Sequence, residues 1–140
     1  MDAQHAGDLS PTDAYRLLTD DPHAVLIDVR TQPEWAYVGV PDLTSVGKQL
    51  VRLEWVNFPD GARNPEFLDQ LAAAGVRPDQ PVAFICRSGA RSAAAAGAAT
   101  AAGYARAYNV ADGFEGPLDA AGHRGSAGGW KASGLPWTQS

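Results

Sequence analysis

A single cysteine, followed by a loop with two arginines, is the most chemically informative part of this sequence. Cys86 is the one cysteine among 140 residues, so the chain cannot form an internal disulfide, and any thiol chemistry would involve another molecule. A cysteine reacts as its thiolate, which positive charge and backbone N–H groups stabilise. We call residues 86–92 the Cys86 loop; its sequence is Cys86-Arg87-Ser88-Gly89-Ala90-Arg91-Ser92.

The Cys86 loop lies between a predicted strand and a predicted helix. The apolar run 81–85 precedes it, and residues 92–102 are mostly alanine, the strongest helix former. In a parallel sheet, such a turn lies at the carboxyl ends of the strands, where ligands bind. Its N–H groups and the start of the helix would attract an anion, and Gly89 supplies the backbone freedom that a tight turn needs. We therefore predict Cys86 as the catalytic nucleophile and Arg87 to Ser92 as the substrate-binding loop.

The local charge of this region differs from that of the whole chain. With 16 acidic and 11 basic residues, the chain carries a net charge of -5, which argues against a general nucleic-acid or membrane-surface binder. Residues 81–111, however, contain no Asp or Glu but include Arg87, Arg91 and Arg106. An acidic protein thus has a basic patch around its cysteine. We expect a small anionic substrate, and neither nucleic acid nor membrane, as its partner.

The rest of the sequence predicts the elements that position this loop. In chain order they are a helix over 11–19, a strand over 24–29, a strand within 50–58 near a sheet edge, a helix following Asn64 and ending at Gly75, a strand over 81–85, a helix over 92–102 and a strand over 107–110. Alternating strands and helices are typical of βαβ units. We predict an α/β fold with a central, mostly parallel sheet and helices on both faces. The length fits a single domain over 1–140, with a core over about 9–137.

No part of the sequence predicts a metal, a cofactor or a membrane span. His5, His23 and His123 have no spacing suited to a metal site with Cys86. No apolar run has the length of a transmembrane helix, and the N-terminus lacks the basic start and apolar stretch of a secretory signal. We expect a cytoplasmic protein without a metal or a cofactor.

Three segments, in the right order along nearly the whole chain, resemble single-domain rhodaneses. The Cys86 loop resembles their active-site loop. Residues 26–30 (Leu-Ile-Asp-Val-Arg), followed by Glu34 and Trp35, resemble their N-terminal signature, and residues 130–136 (Trp-Lys-Ala-Ser-Gly-Leu-Pro) are similar to their common ending. The resemblance implies a three-layer rhodanese-like fold and a thiosulfate sulfurtransferase-like enzyme. Cys86 would take sulfane sulfur from a thiosulfate-like donor as a persulfide and deliver it to a thiol or protein-thiol acceptor.

Two other functions use similar residues. A Cys-dependent phosphatase also surrounds an anion with a cysteine and an arginine, but protein tyrosine phosphatases and the Cdc25-like relatives of rhodanese place five residues between them, whereas Cys86 and Arg91 enclose four. One residue of chain spans up to about 3.5 Å, so the shorter loop favours sulfur transfer. The remaining alternative is a non-catalytic persulfide carrier or a regulatory binding module.

Two further features are interpreted as structural. Asp28 and Arg30 end the strand that precedes them, at the edge of the sheet where Cys86 is expected. We interpret them as supporting the site through a surface ion pair or a helix-capping contact. Residues 112–129 form an expanded glycine-rich loop, interpreted as a flexible connection to a chain end, 130–137, that packs back on the body. Arg124 would make this loop a mobile lid only if it reached the anion.

Overall fold

A five-stranded parallel sheet forms the centre of the molecule. The structure is a computed structural model and describes residues 5–139. The strands, in chain order, are β1 (Gly7–Leu9), β2 (Val25–Asp28), β3 (Val40–Pro41), β4 (Val51–Arg52), β5 (Val82–Ile85), β6 (Ala107–Val110) and β7 (Trp137–Thr138). The main sheet has the order β1-β6-β5-β2-β4 with every pair parallel, and β3 pairs with β7 in a separate antiparallel ribbon. The predicted parallel sheet is confirmed.

The helices cover both faces of this sheet. They are α1 (Pro11–Asp20), α2 (Gln32–Tyr37), α3 (Phe67–Ala73), α4 (Ala90–Ala101) and α5 (Gly129–Ala132). Buried side chains of α1 and α5 share one apolar cluster with Leu26 and Ile85 of the sheet. Side chains of α3 and α4 share the other with Ile27 and Phe84. Because neighbouring strand residues point to opposite faces, each face needs its own helix layer, and the predicted three-layer fold is confirmed.

The helix after the Cys86 loop begins earlier than the sequence pattern predicts. It starts at Ala90, and Gly89 before it has a φ of 111°, a left-handed conformation that glycine adopts without a steric penalty. The buried face of α4 consists of small side chains, which lets the helix backbone lie close to the sheet. The chain therefore leaves β5, turns sharply at Gly89 and enters α4 directly above the strand ends.

The edge strand is shorter than its alternating pattern indicates. β4 lies at the edge of the sheet as predicted, but it contains only Val51 and Arg52. Backbone N–H groups of Leu53 and Trp55 still donate to the carbonyls of Asp28, the last residue of β2, and Val29, which follows it. Backbone hydrogen bonds between these two chain segments thus continue beyond Arg52, although β4 ends there. Among residues 5–139, no helix is long and apolar enough to cross a membrane.

Candidate active site

Cys86 directly follows β5 and lies at the carboxyl end of the central strands. Its Sγ accepts a hydrogen bond from the Gly89 N–H at 3.1 Å, and the Ser92 Oγ lies 3.2 Å away. The residue is only 1% exposed and packs with the apolar cluster beneath α4. The sulfur is therefore held against the inner wall of the Cys86 loop, at the start of a twelve-residue helix whose dipole favours negative charge there.

The two arginines of the Cys86 loop have different surroundings. Arg91 makes a two-pronged ion pair with Glu34 of α2, through Nη1 to Oε1 at 2.7 Å and Nη2 to Oε2 at 2.9 Å. Arg87 is exposed, and its side chain makes no hydrogen bond or ion pair with the described part of the chain. Arg87 is thus free to meet an anion, while Arg91 is held by a carboxylate. Sequence reasoning assigned the same role to both.

Glu34 is a site residue whose role sequence reasoning did not identify. Burial acts to raise its pKa, but hydrogen bonds and charge attraction from Arg91, with hydrogen bonds from Thr31, outweigh burial and lower the pKa to about 2. Hydrogen bonding to Glu34 raises the pKa of Arg91, and the nearby Cys86 sulfur adds to that rise. The available signal was the spacing of Thr31 and Glu34, which is that of a capping box at the start of α2.

The Asp28–Arg30 pair lies in the interior at the carboxyl end of β2 and is not at the surface. Both side chains are completely buried, with Nη2 to Oδ2 at 2.6 Å and Nε to Oδ1 at 2.9 Å. Arg30 also donates to the Gly39 carbonyl at 2.7 Å, and its guanidinium lies 4.4 Å from the centre of the Phe114 ring. The surface ion pair expected from the sequence is wrong, because these contacts draw the charged pair into the interior.

The segment after β6 braces the Cys86 loop from its outer side. The Phe114 N–H donates to the Cys86 carbonyl at 2.8 Å, and the N–H groups of Glu115 and Gly116 donate to the Arg87 carbonyl at 3.0 and 3.1 Å. Gly113 has a φ of 62°, and a Cβ there would overlap the Cys86 carbonyl oxygen. The segment after β6 thereby fixes the backbone of Cys86 and Arg87.

The rest of the 112–129 loop is tied together by its own polar side chains. Asp119 accepts from the N–H groups of Ala121 and His123 and from the Ser126 hydroxyl. Arg124 donates to the Gly116 carbonyl at 2.8 Å. The arginine that a lid would use is therefore bonded within the loop, and the interpretation of the loop as a flexible connection stays a prediction.

The remaining predicted site residues, Ser88, Ala90 and Ser92, lie at different depths. Ser88 is half-buried within the turn, and Ala90 is exposed as the first residue of α4. Ser92 is fully buried, with its hydroxyl 2.5 Å from Asn109 Oδ1. Asn109 of β6 was not predicted, and a lone Asn in a strand gives no signal of a role. The Cys86 loop can stabilise a negatively charged sulfur, and its exposed Arg87 can bind an anion.

Comparisons with known proteins agree with this fold. The family model described as the STR4 middle domain matches residues 6–140. A solved structure, Rv0390 from M. tuberculosis, is 53% identical with a TM-score of 0.90, over 98% of this chain and 100% of that one. A polysulfide-sulfur transferase homodimer from Wolinella succinogenes is 29% identical with a TM-score of 0.65, over 95% of this chain and 78% of that one.

The curated relatives include both uncharacterised and rhodanese-like proteins. An uncharacterised Rickettsia rickettsii protein, an RP600 homolog, is 39% identical over 90% of this chain and 92% of its own length. The chloroplastic protein THYLAKOID RHODANESE-LIKE of Oryza sativa subsp. indica is 32% identical over 94% of this chain but only 25% of its own length. This chain belongs to the STR4 middle domain family and has the rhodanese-like fold.

Proposed function

We propose that this protein is a sulfurtransferase that carries sulfane sulfur as a persulfide on Cys86. The donor would be a small anion such as thiosulfate, and the acceptor a thiol or a protein thiol. The observation that carries the proposal is the position of Sγ, which accepts the Gly89 N–H at the start of α4. The name of the Wolinella relative, a polysulfide-sulfur transferase, supports the same reaction class.

The reaction runs as two displacements at sulfur. The Cys86 thiolate attacks the outer sulfur of thiosulfate, an Sγ–S bond forms, and the donor's S–S bond breaks as sulfite leaves with the bonding electron pair. An acceptor thiolate then attacks the outer sulfur of the Cys86 persulfide and regenerates the Cys86 thiolate. Because the chain has one cysteine, the second step is intermolecular, and ping-pong kinetics are expected.

The residues of the Cys86 loop would have different roles in this reaction. Arg87, which is exposed, would bind the sulfonate of the donor and offset charge on the leaving sulfite. The Gly89 N–H and the dipole of α4 would stabilise the thiolate and then the persulfide. Arg91, held by Glu34, would fix the rim of the loop and supply a positive field. The deep position of Cys86 favours a slim donor whose terminal sulfur leads.

Intact-protein mass spectrometry after incubation with thiosulfate tests this function directly. We expect one added sulfur on the wild type, with release of sulfite, and no addition on Cys86→Ser. Sulfate, which has no sulfane sulfur, is the matched control reagent and should add nothing. Sulfur loading on Cys86→Ser would refute the proposal. Hydrolysis of an aryl phosphate without sulfur loading would refute it in favour of the phosphatase alternative.

A further inference from the structure

The buried Ser92 hydroxyl lies between two groups that compete for its single hydrogen. Its Oγ is 3.2 Å from Cys86 Sγ and 2.5 Å from Asn109 Oδ1. A hydroxyl carries one hydrogen, so it can donate to only one of these groups at a time. The direction of this donation decides whether the sulfur faces a hydrogen-bond donor or an oxygen lone pair.

Asp8 determines, through Asn109, the direction in which the Ser92 hydroxyl donates its hydrogen bond. The two residues are register partners on the neighbouring strands β1 and β6, and Asn109 Nδ2 donates to Asp8 Oδ1 at 3.2 Å. A carboxylate can only accept, so the amide nitrogen must face Asp8 and the amide oxygen must face Ser92. That oxygen can also only accept. The Ser92 hydroxyl therefore donates to Asn109 and turns its lone pairs towards the sulfur.

This orientation favours one protonation state of the cysteine. A thiol can donate its S–H to the Ser92 oxygen, whereas a thiolate at the same position faces a lone pair. We propose that Asp8 and Asn109 are positioning residues that act through Ser92 and favour the thiol of Cys86 over its thiolate. The proposal rests on the proposed function only in taking Cys86 as the reacting group. The effect of the Ser92 lone pair on Cys86 opposes that of the Gly89 N–H and of the dipole of α4, which both favour the thiolate.

Asp8 is charged over the whole pH range in which a thiol titrates. A hydrogen bond from His5, at 2.9 Å, lowers the pKa of Asp8, burial opposes this, and the bond from Asn109 lowers it further. The other charged groups around the site belong to separate elements and are untouched by changes at Asp8. They are Arg87 and Arg91 of the Cys86 loop, Glu34 of α2, Asp28 at the end of β2, Arg30 after β2, and Asp112 after β6.

The substitution Asp8→Asn tests the proposal with little structural risk, because Asp8 is exposed. The new amide can donate as well as accept, so the Asn109 amide is free to rotate and Ser92 to donate to the sulfur. We expect the midpoint of thiolate formation to fall by about one pH unit. The midpoint is read from the ultraviolet absorbance of the thiolate and from the pH dependence of iodoacetamide alkylation. The alkylation signal reports Cys86 alone, since the chain has no other cysteine. The four tyrosines also gain absorbance when they ionise, so the absorbance of Cys86→Ser is subtracted at each pH.

A double-variant cycle separates hydrogen-bond orientation from simple charge removal. Loss of the Asp8 charge favours a thiolate through space as well, with or without the Ser92 hydroxyl. We expect the shift from Asp8→Asn to be clearly smaller in a Ser92→Ala background, where only the through-space part remains because the oriented hydroxyl is gone. An equal shift in both backgrounds would overturn the proposal, as would no shift from Asp8→Asn alone.

A second variant and an independent readout complete the test. Asn109→Ala removes the competing acceptor and should lower the midpoint as Asp8→Asn does, but only when Ser92 is present. A midpoint that rises would overturn the proposal. Absorbance and alkylation need no sulfur transfer. A chain that never loads sulfur can therefore still give the predicted shifts, and one that loads sulfur can fail to give them.

Discussion

Two arginine–carboxylate pairs flank the Cys86 loop, and they differ in depth and in reach along the chain. Asp28 and Arg30 are two residues apart and completely buried. Glu34 and Arg91 are 57 residues apart, lie at the rim, and keep 21% and 24% of their side chains exposed. The inner pair fixes the end of one strand, whereas the outer pair joins α2 to α4 across the site.

This difference in depth implies different energetic roles. A buried pair contributes little net stability when intact, because desolvation offsets the attraction, but removing one partner leaves an uncompensated charge in the interior. A partly exposed pair loses less, since water can solvate the remaining partner. Breaking the inner pair should therefore lower the free energy of unfolding strongly, and breaking the outer pair should mainly loosen the rim of the loop.

The largest effect is expected from Asp28→Asn. The substitution leaves the Arg30 guanidinium buried without its counter-charge, and we expect a loss of about 3–5 kcal/mol in the free energy of unfolding. Denaturant unfolding followed by tryptophan fluorescence measures it. Asp13→Asn is the matched control, because Asp13 pairs with Arg16 at 3.5 Å on the exposed side of α1, and it should cost less than about 0.5 kcal/mol. Equal losses in the two variants would contradict the assignment.

A smaller, pH-dependent effect is expected from Glu34→Gln. The pKa of Glu34 is about 2 in the folded protein, against an ordinary value of 4.5. A carboxyl with a depressed folded pKa stabilises the protein above its unfolded pKa and loses this contribution as the pH falls through the folded one. We expect wild type to exceed Glu34→Gln by about 1–2 kcal/mol at neutral pH, after allowance for partial exposure. The gap should close between pH 4.5 and about 2.

Urea unfolding of both proteins over that pH range measures the gap. A difference that stays constant with pH would show that the Glu34→Gln substitution acts by altered packing and not by lost charge. Glu54→Gln is a suitable control, because the Glu54 carboxylate accepts a backbone hydrogen bond from Gln32 at an exposed position. The difference in stability between wild type and Glu54→Gln should not show the pH course expected for Glu34→Gln.

The parts of the site that could be predicted from sequence are those coded by neighbouring residues. The apolar run of β5, Cys86, Gly89 and the alanines of α4 follow one another, so each local signal supports the next. The edge position of β4 also follows from alternation along one segment. The short strand β1 has no such signal, because its three residues form a strand only by pairing with β6.

The parts that could not be predicted depend on residues distant in sequence. Glu34 meets Arg91, and Asp8 meets Asn109, only after the sheet is assembled, at separations of 57 and 101 residues. Arg30 was expected in a surface ion pair or a capping contact, and its burial depends on the Phe114 ring contributed after β6. Sequence reasoning singled out Cys86 as the candidate nucleophile, but it could not identify which arginine is already paired.

The smallest effect on stability is expected from Arg87→Gln, and it completes the contrast with the two pairs. Arg87 makes no side-chain contact with a carboxylate among the described residues, so its loss should change the free energy of unfolding by less than about 0.5 kcal/mol. If Arg87 binds the sulfonate, the rate of persulfide formation from thiosulfate should fall about tenfold or more, because one charge-assisted hydrogen bond to the donor is lost. Arg16→Gln, also exposed, is the control and should leave the rate unchanged.

Varying the thiosulfate concentration and the ionic strength makes the comparison of wild type with Arg87→Gln sharper. A binding role for Arg87 predicts that the rate deficit grows in dilute thiosulfate and shrinks as salt screens the attraction in the wild type. Arg91 cannot take over this role while Glu34 occupies both of its terminal nitrogens. Glu34→Gln releases them, so the double variant Arg87→Gln/Glu34→Gln should recover part of the lost rate. No recovery would mean that the free guanidinium at position 91 does not reach the donor.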